Sequence, residues 1–273
     1  MFLLKVIFAV YQEDLFREKM KINELIKTIK DINITEVTTF LSTDTLFRYI
    51  SFYVTPIFYY LRISPNSITT ISLMTGVYGS ILIIVYGQDY LQTGILLFFL
   101  SIIIDYCDGN IARILNIPTF YGRFLDGFVD TIVLGSLQIA FILIMMSDNH
   151  IYVDILGFNI NHNLVFIVLL ISLFSTPIQH FIYDRYSSYI RWIKEEHNKK
   201  LSPTIKTEIS FRFINFLSDL QILLIVLCAF SSKYIFIYFL INLFSTLLIV
   251  SYHLHFSRKN MNIFAETHRI KND

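Results

Sequence analysis

Cysteine is scarce in this sequence, which contains two cysteines among 273 residues. Cys107 and Cys228 lack the C-x-x-C spacing of metal or redox sites, so we expect both to be reduced and structural. Charged residues make up 16% of the chain and the net charge is +1, and we expect no nucleic-acid partner. There is no internal repeat. The apolar first ten residues lack the charged leader and the cleavage site of a secretory signal.

Hydrophobic residues, by contrast, are abundant, at 55% of the chain with a mean hydropathy of +0.58. Soluble domains contain about 45–50% apolar residues, so the composition indicates a polytopic membrane protein. Apolar runs long enough to cross a bilayer predict an all-α fold with six transmembrane helices. They lie near residues 67–87, 91–113, 119–147, 164–192, 213–231 and 234–256.

Lysine and arginine predict the orientation of these helices. They are concentrated before the first span, in residues 185–212 and after the last span, whereas residues 148–163 contain none. We therefore expect a multi-pass protein of the cell inner (plasma) membrane, with both termini and the 193–212 loop in the cytoplasm.

The predicted organisation has three parts. Residues 1–62 would form cytoplasmic and interfacial helices, residues 63–257 the six-helix membrane domain, and residues 258–273 a cytoplasmic tail. The lysine-rich stretch 14–31 is typical of a solvated helix. The aromatic stretch 47–62, with basic ends, suits a helix lying on the inner leaflet, and tight packing against the bundle explains it equally well.

Four aspartates lie inside segments that are otherwise apolar enough to be membrane helices. Asp105 and Asp108 are three residues apart and Asp126 and Asp130 are four apart, so each pair shares one helix face. An ionised carboxylate in hydrocarbon costs roughly 2.5 kcal/mol or more, so four together need positive charge between them. An antiparallel hairpin would bring all four to one level. We therefore predict a site for two divalent cations, open to the cytoplasm, rather than a polar network that only ties helices together.

The aspartates belong to a longer pattern, D-x2-D-G-x2-A-R-x8-G-x3-D-x3-D, over residues 105–130. At every fixed position this pattern resembles the signature of the CDP-alcohol phosphotransferases. These integral membrane enzymes cleave a CDP-linked alcohol and transfer its phospho-alcohol half to a second hydroxyl. The resemblance implies two Mg²⁺ or Mn²⁺ ions per site. Asp105, Asp108, Asp126 and Asp130 would bind them, and Asp130 would also accept the proton of the incoming hydroxyl as the catalytic base.

The resemblance also implies a CDP-binding surface made of Gly109, Ala112, Arg113, Gly122, Asn66 and Thr69. Gly109 leaves room for the nucleotide near the helix backbone, and the Arg113 guanidinium suits a bidentate phosphate contact. Asn66 and Thr69 match a P-N-x-x-T stretch at the start of the first span. Ser64 or Asn66 could instead cap that helix, with Pro65 in its first turn.

Residues 188–195 are similar to an S-Y-x-R-x-R-x-E segment of relatives that use phosphorylated polyol acceptors. Ile193 stands where those relatives have a second basic residue, which leaves the acceptor open. Arg191 and Arg185 are the predicted acceptor-binding residues, although positive-inside anchoring also explains them.

Together these features predict a phospholipid-synthesising membrane transferase, homodimeric by resemblance, whose substrates meet at the membrane surface. The resemblance implies CDP-diacylglycerol as the donor and an alcohol as the acceptor. One alternative keeps the chemistry with a soluble CDP-alcohol donor and a lipid or polyol acceptor. Another is a cation transporter with intramembrane carboxylates, which the missing repeat disfavours.

Overall fold

The computed structural model describes residues 20–33, 43–117, 119–147, 162–197 and 208–269. These residues form helices, with no strand among them, which confirms the predicted all-α class. The described helices are α1 (Ile22–Asn33), α2 (Thr43–Tyr60), α3 (Pro65–Tyr86), α4 (Leu91–Ile114), α5 (Phe120–Ser147), α6 (His162–His197), α7 (Glu208–Phe230) and α8 (Tyr234–Arg269). A 3-10 turn, Gly87–Tyr90, joins α3 to α4.

Four stretches of the described chain are long and apolar enough to cross a membrane: Pro65–Ile114, Phe120–Ser147, Val165–Ile182 and Tyr234–Tyr252. The first of them contains both α3 and α4. The apolar part of α7, Asp219–Phe230, is shorter. The membrane character of the chain is therefore confirmed, and the count of six spans stays a prediction.

The chain divides into two compact units, Met1–Ile144 and Met145–Asp273. In the second unit, a buried amide joins α8 to α6. Asn242 Nδ2 lies 2.8 Å from Ser172 Oγ and 3.2 Å from Thr176 Oγ1. Such interhelical polar contacts are typical of helices that associate inside a membrane.

In the first unit, three helices pack with alternating direction. Along α3, residues 72 and 79 meet residues 101 and 94 of α4, so this pair is antiparallel. Residues 76 and 80 of α3 meet residues 133 and 136 of α5, so α3 and α5 run parallel. The amino ends of α3 and α5 therefore lie beside the carboxyl end of α4.

Glycines allow α3 and α4 to approach backbone to backbone. A Cβ atom added at Gly79 would lie 2.6 Å from the carbonyl oxygen of Gly94, and one added at Gly94 would lie 2.3 Å from Ile83 Cγ1. Small residues at such contacts are a common means of packing membrane helices. This contact sets the distance between α3 and α4 at a point that is far from the aspartates.

Gly79→Ala should consequently lower the melting temperature of the protein in detergent, because the new methyl group meets backbone that cannot rotate away. Overpacking of this kind costs about 1–3 kcal/mol. Gly135→Ala is the matched control, since a Cβ there meets nothing within 4 Å among the described residues. Equal melting temperatures for the two variants would contradict the proposed role of this contact.

The two amino-terminal helices, α1 and α2, pack against α4. Leu25 and Ile29 of α1 are fully buried and pack in one cluster with Phe52 of α2 and Ile111 of α4. The predicted solvated helix, residues 14–31, lies partly outside the described residues, and its described part is only partly solvated because one of its faces is part of the core.

Helix α2 has two apolar faces. Phe52 and Tyr59 lie on the buried face, whereas Leu46, Tyr53 and Ile57 are exposed. The packing explanation for this stretch is therefore supported, and its position on the inner leaflet stays a prediction.

Candidate active site

The site is built where α4 ends and α5 begins. Asp105 and Asp108 lie in the last three turns of α4, and Asp126 lies in the second turn of α5. One ligand atom from each of these three side chains lies within 4.8 Å of the other two, and all three residues are partly buried. The predicted meeting of carboxylates from two helices is therefore observed for three of the four aspartates.

The turn that joins the two helices depends on Asn116. This residue has a positive φ of 53°, a conformation that asparagine tolerates better than most residues. The N–H of Ile117 then donates to the carbonyl oxygen of Ala112 at 2.9 Å, which closes the end of α4. The chain can thus turn back at once toward α5.

The carboxylate of Asp105 is partly buried. Its Oδ1 atom is buried and has no hydrogen-bond partner in the described part of the chain. The charges of Asp108, Asp126 and Asp130 all oppose its own. Burying an unpaired charge is very costly, and carboxylate oxygens are the ligands that Mg²⁺ and Mn²⁺ prefer. The residues present therefore fit a divalent cation.

Asp108 is held by α3. The hydroxyl of Thr69, a residue only 2% exposed, donates to Asp108 Oδ2. Thr69 was predicted to contact CDP, and here its hydroxyl orients a carboxylate of the cluster. Direct contact between Thr69 and CDP stays a prediction.

Asp130 stands one turn beyond Asp126 on α5. It is exposed, and it is not part of the group of three carboxylates. It nevertheless shares one face of α5 with Asp126, four residues earlier, so it lies near the cluster. The group of three carboxylates therefore forms without Asp130, and the roles of Asp130 as metal ligand and base stay predictions.

Arg113 lies over the glycine of the signature. A Cβ atom added at Gly109 would be 3.6 Å from Arg113 Nη1, and the guanidinium attracts the carboxylate of Asp126. Arg113 Nη1 also donates to Asn33 Oδ1 at 2.8 Å. Ala112, the neighbouring signature residue, is partly buried. The Arg113 guanidinium therefore lies beside the carboxylate cluster, and its contact with the phosphates of CDP stays a prediction.

The other predicted CDP contacts come together between α3 and α5. A Cβ atom added at Gly122 would be 3.0 Å from Thr119 Oγ1 and 3.6 Å from Asn66 Oδ1. Ser64 caps α3 and Pro65 occupies its first turn, as the capping interpretation predicted. Asn66 is not needed as a cap, and its exposed side chain faces Gly122.

The two predicted acceptor residues lie on α6, in the second unit. Arg185 is exposed and its guanidinium lies 5.1 Å from the ring centroid of Phe181. The side chain of Arg191 lies outside the described ones. Their role in acceptor binding stays a prediction.

Three contacts made by residues of the signature segment were not predicted. The Tyr106 hydroxyl donates to Asp44 Oδ1, and the Arg48 guanidinium lies 5.0 Å from the Tyr106 ring centroid. Asn33 accepts from Arg113, as described above. The spacing of Leu25, Ile29 and Asn33 by four residues each places an amide on the apolar face of α1, and this was the available signal for a buried polar contact.

No curated protein matches the chain. The model of the family described as CDP-alcohol phosphatidyltransferase matches residues 62–241, which is most of the chain. This match agrees with the signature at residues 105–130 and with the cluster of aspartates. The chain belongs to the CDP-alcohol phosphatidyltransferase family, whose members transfer a phospho-alcohol group from a CDP-alcohol.

Proposed function

We propose that the protein transfers the phosphatidyl group of CDP-diacylglycerol to the hydroxyl of an alcohol and releases CMP. The observation that supports this most is the three-carboxylate cluster, which includes the buried and unpartnered Oδ1 of Asp105. Such a cluster beside an arginine suits a diphosphate with bound divalent cations. The same membrane protein could then bring a lipidic donor and a soluble acceptor together.

In this proposal the acceptor oxygen attacks the phosphorus that bears the diacylglycerol group. A new P–O bond forms to the acceptor, the P–O bond to the CMP phosphate breaks, and CMP leaves with the electron pair. Asp130 takes the proton of the acceptor hydroxyl, which its exposed position permits.

Asp105, Asp108 and Asp126 would hold two Mg²⁺ or Mn²⁺ ions, and Asp130 would act beside them as the base. Bound there, the ions would neutralise the diphosphate and favour departure of CMP. Thr69 keeps Asp108 oriented toward the cluster. Arg113 binds a phosphate oxygen, and the missing side chains at Gly109 and Gly122 leave the CDP surface shallow.

The membrane arrangement follows the distribution of basic residues. Six helices would cross the inner membrane, with both termini and the site on the cytoplasmic side. There the exposed apolar face of α2 would lie against the lipid surface. The protein would act as a homodimer, as its family resemblance implies.

Purified protein incubated with radiolabelled CDP-diacylglycerol, Mn²⁺ and a panel of alcohols should release CMP and form one labelled lipid. EDTA in place of Mn²⁺ should reduce CMP release to background, because the carboxylates then lack their counter-charge. Saturation by inositol phosphate or glycerol phosphate would support acceptor binding by Arg191 and Arg185. CMP release only from a soluble CDP-alcohol with a lipid acceptor would reverse the donor and acceptor, and no release from any CDP-alcohol would refute the proposal.

A further inference from the structure

A chain of buried polar groups connects α2, α4 and α1 and ends at Arg113. Asn110 Nδ2 lies 3.0 Å from both Ser51 Oγ and Thr55 Oγ1 of α2. Asn33 Nδ2 of α1 lies 3.2 Å from Asn110 Oδ1. The exposure of these four residues is 2% or less. Water therefore cannot replace their hydrogen bonds, and each donor must meet an acceptor.

The hydroxyls of Ser51 and Thr55 determine which atoms donate and which accept along this chain of polar groups. Ser51 Oγ donates to the carbonyl oxygen of Arg48, and Thr55 Oγ1 donates to that of Ser51, each at 2.7 Å. Each hydroxyl has a single proton, so both can only accept from Asn110. The amide nitrogen of Asn110 must then face the two hydroxyls, and its oxygen must face Asn33.

The same reasoning fixes the amide of Asn33. Its nitrogen donates to Asn110 Oδ1 and, at 2.7 Å, to the carbonyl oxygen of Ile29. Both of its protons are used, so its oxygen must point toward the Arg113 guanidinium. If the Asn33 amide were rotated by 180°, its NH2 group would face the N–H donors of Arg113. Its oxygen would then face the oxygen atoms of Asn110 and Ile29. The acceptor that faces Arg113 is therefore held in one orientation.

This acceptor is suited to orient a cation that must remain available to an anion. The amide of Asn33 is neutral, so it takes one of the five N–H donors of a guanidinium without cancelling its charge. A carboxylate at the same place would compete with a phosphate for Arg113. The fully buried Leu25 and Ile29 anchor α1 in the core and keep the amide in place.

We propose that Asn33 is a positioning residue, which holds the Arg113 guanidinium beside the carboxylate cluster in the orientation that binds the diphosphate of CDP. The inference rests on the proposed function. It assigns a part of the site to α1, which precedes the residues matched by the family model. Asn33 acts through Arg113 and does not itself touch the substrate.

Asn33→Ala should raise the KM for the CDP-alcohol on the order of tenfold, the effect of one lost contact to a charged group. The kcat should change by less than about twofold, since the lost contact serves binding in ground and transition states alike. Calorimetric affinity for CDP in the presence of Mn²⁺ should fall by the same factor. In an Arg113→Ala background, Asn33→Ala should have no further effect on the KM or on CDP affinity.

Thr55→Ala is the matched control, because it removes one buried hydrogen bond of the same chain and leaves the Asn33–Arg113 contact intact. It should lower the melting temperature, though less than Asn33→Ala, which removes three hydrogen bonds, and it should leave the KM unchanged. The inference is overturned if Arg113→Ala raises the KM and Asn33→Ala does not, or if Thr55→Ala raises it equally. A wild-type protein that neither binds CDP nor releases CMP would overturn the proposed function, and this inference with it.

Discussion

Asp105→Asn is expected to abolish metal-dependent CMP release, with a loss on the order of a thousandfold or more. Metal ions contribute several kcal/mol to reactions of this type, and each 1.36 kcal/mol corresponds to a factor of ten. Asp105 is the most informative residue to substitute, because its buried Oδ1 has no hydrogen-bond partner among the described residues. A neutral amide at this position removes a charge that the cations need.

The same substitution should have an opposite effect on the metal-free protein. The carboxylates of Asp108, Asp126 and Asp130 repel that of Asp105, so removing one charge relieves the repulsion. The melting temperature in EDTA should therefore rise in Asp105→Asn, and the increase that Mn²⁺ produces in the wild type should disappear. Thermal unfolding with and without Mn²⁺, together with calorimetry, measures both effects.

Asp89→Asn provides the control, since this exposed aspartate lies in the 3-10 turn between α3 and α4. It should behave as the wild type in every assay. An Asp105→Asn protein that keeps its activity and its response to Mn²⁺ would show that the carboxylates form only a polar network between helices.

Asp130→Asn is expected to lower kcat by roughly 10² to 10⁴-fold, the usual contribution of a general base. An amide cannot accept the proton of the acceptor hydroxyl. Because Asp130 stands outside the group of three carboxylates, affinity for CDP and Mn²⁺ should change by less than about threefold. Single-turnover CMP release and calorimetry with CDP separate the two quantities.

The comparison with Asp105→Asn makes this result specific. The two variants should both be inactive, but only Asp105→Asn should lose its Mn²⁺ response. Near-normal turnover of Asp130→Asn would contradict its role as the base. An equal loss of Mn²⁺ affinity in both would make Asp130 a metal ligand instead.

The sequence was sufficient to predict the centre of the site. The spacing of Asp105, Asp108 and Asp126 on two apolar helices joined by a short turn leaves few ways to arrange them. The period of the α-helix places the aspartates of each helix on one face. The cost of burying a charge explains why the carboxylates of the two helices converge. Local chemistry also predicted a cap for α3 at Ser64 or Asn66, and the structure shows that Ser64 is the cap.

The contacts that were missed join parts of the chain that are distant in sequence. Asn33 and Asn110 are separated by 77 positions, and the sequence around either residue does not predict a contact with the other. The periodicity of α1 shows that one of its faces is buried, but not what that face meets. The close approach of Gly79 and Gly94 was missed for a similar reason, because a glycine in an apolar helix has several possible explanations.

The docking of α1 also bears on how relatives of this enzyme could be shortened or recombined. A fragment trimmed to residues 62–241 would retain every signature residue. Its Asn110 would nevertheless lose Asn33, Ser51 and Thr55 at once, leaving an orphaned amide in an apolar interior. Chimeras that exchange the catalytic core between family members should therefore take their leading helices from the same parent, with the junction placed ahead of Ile22.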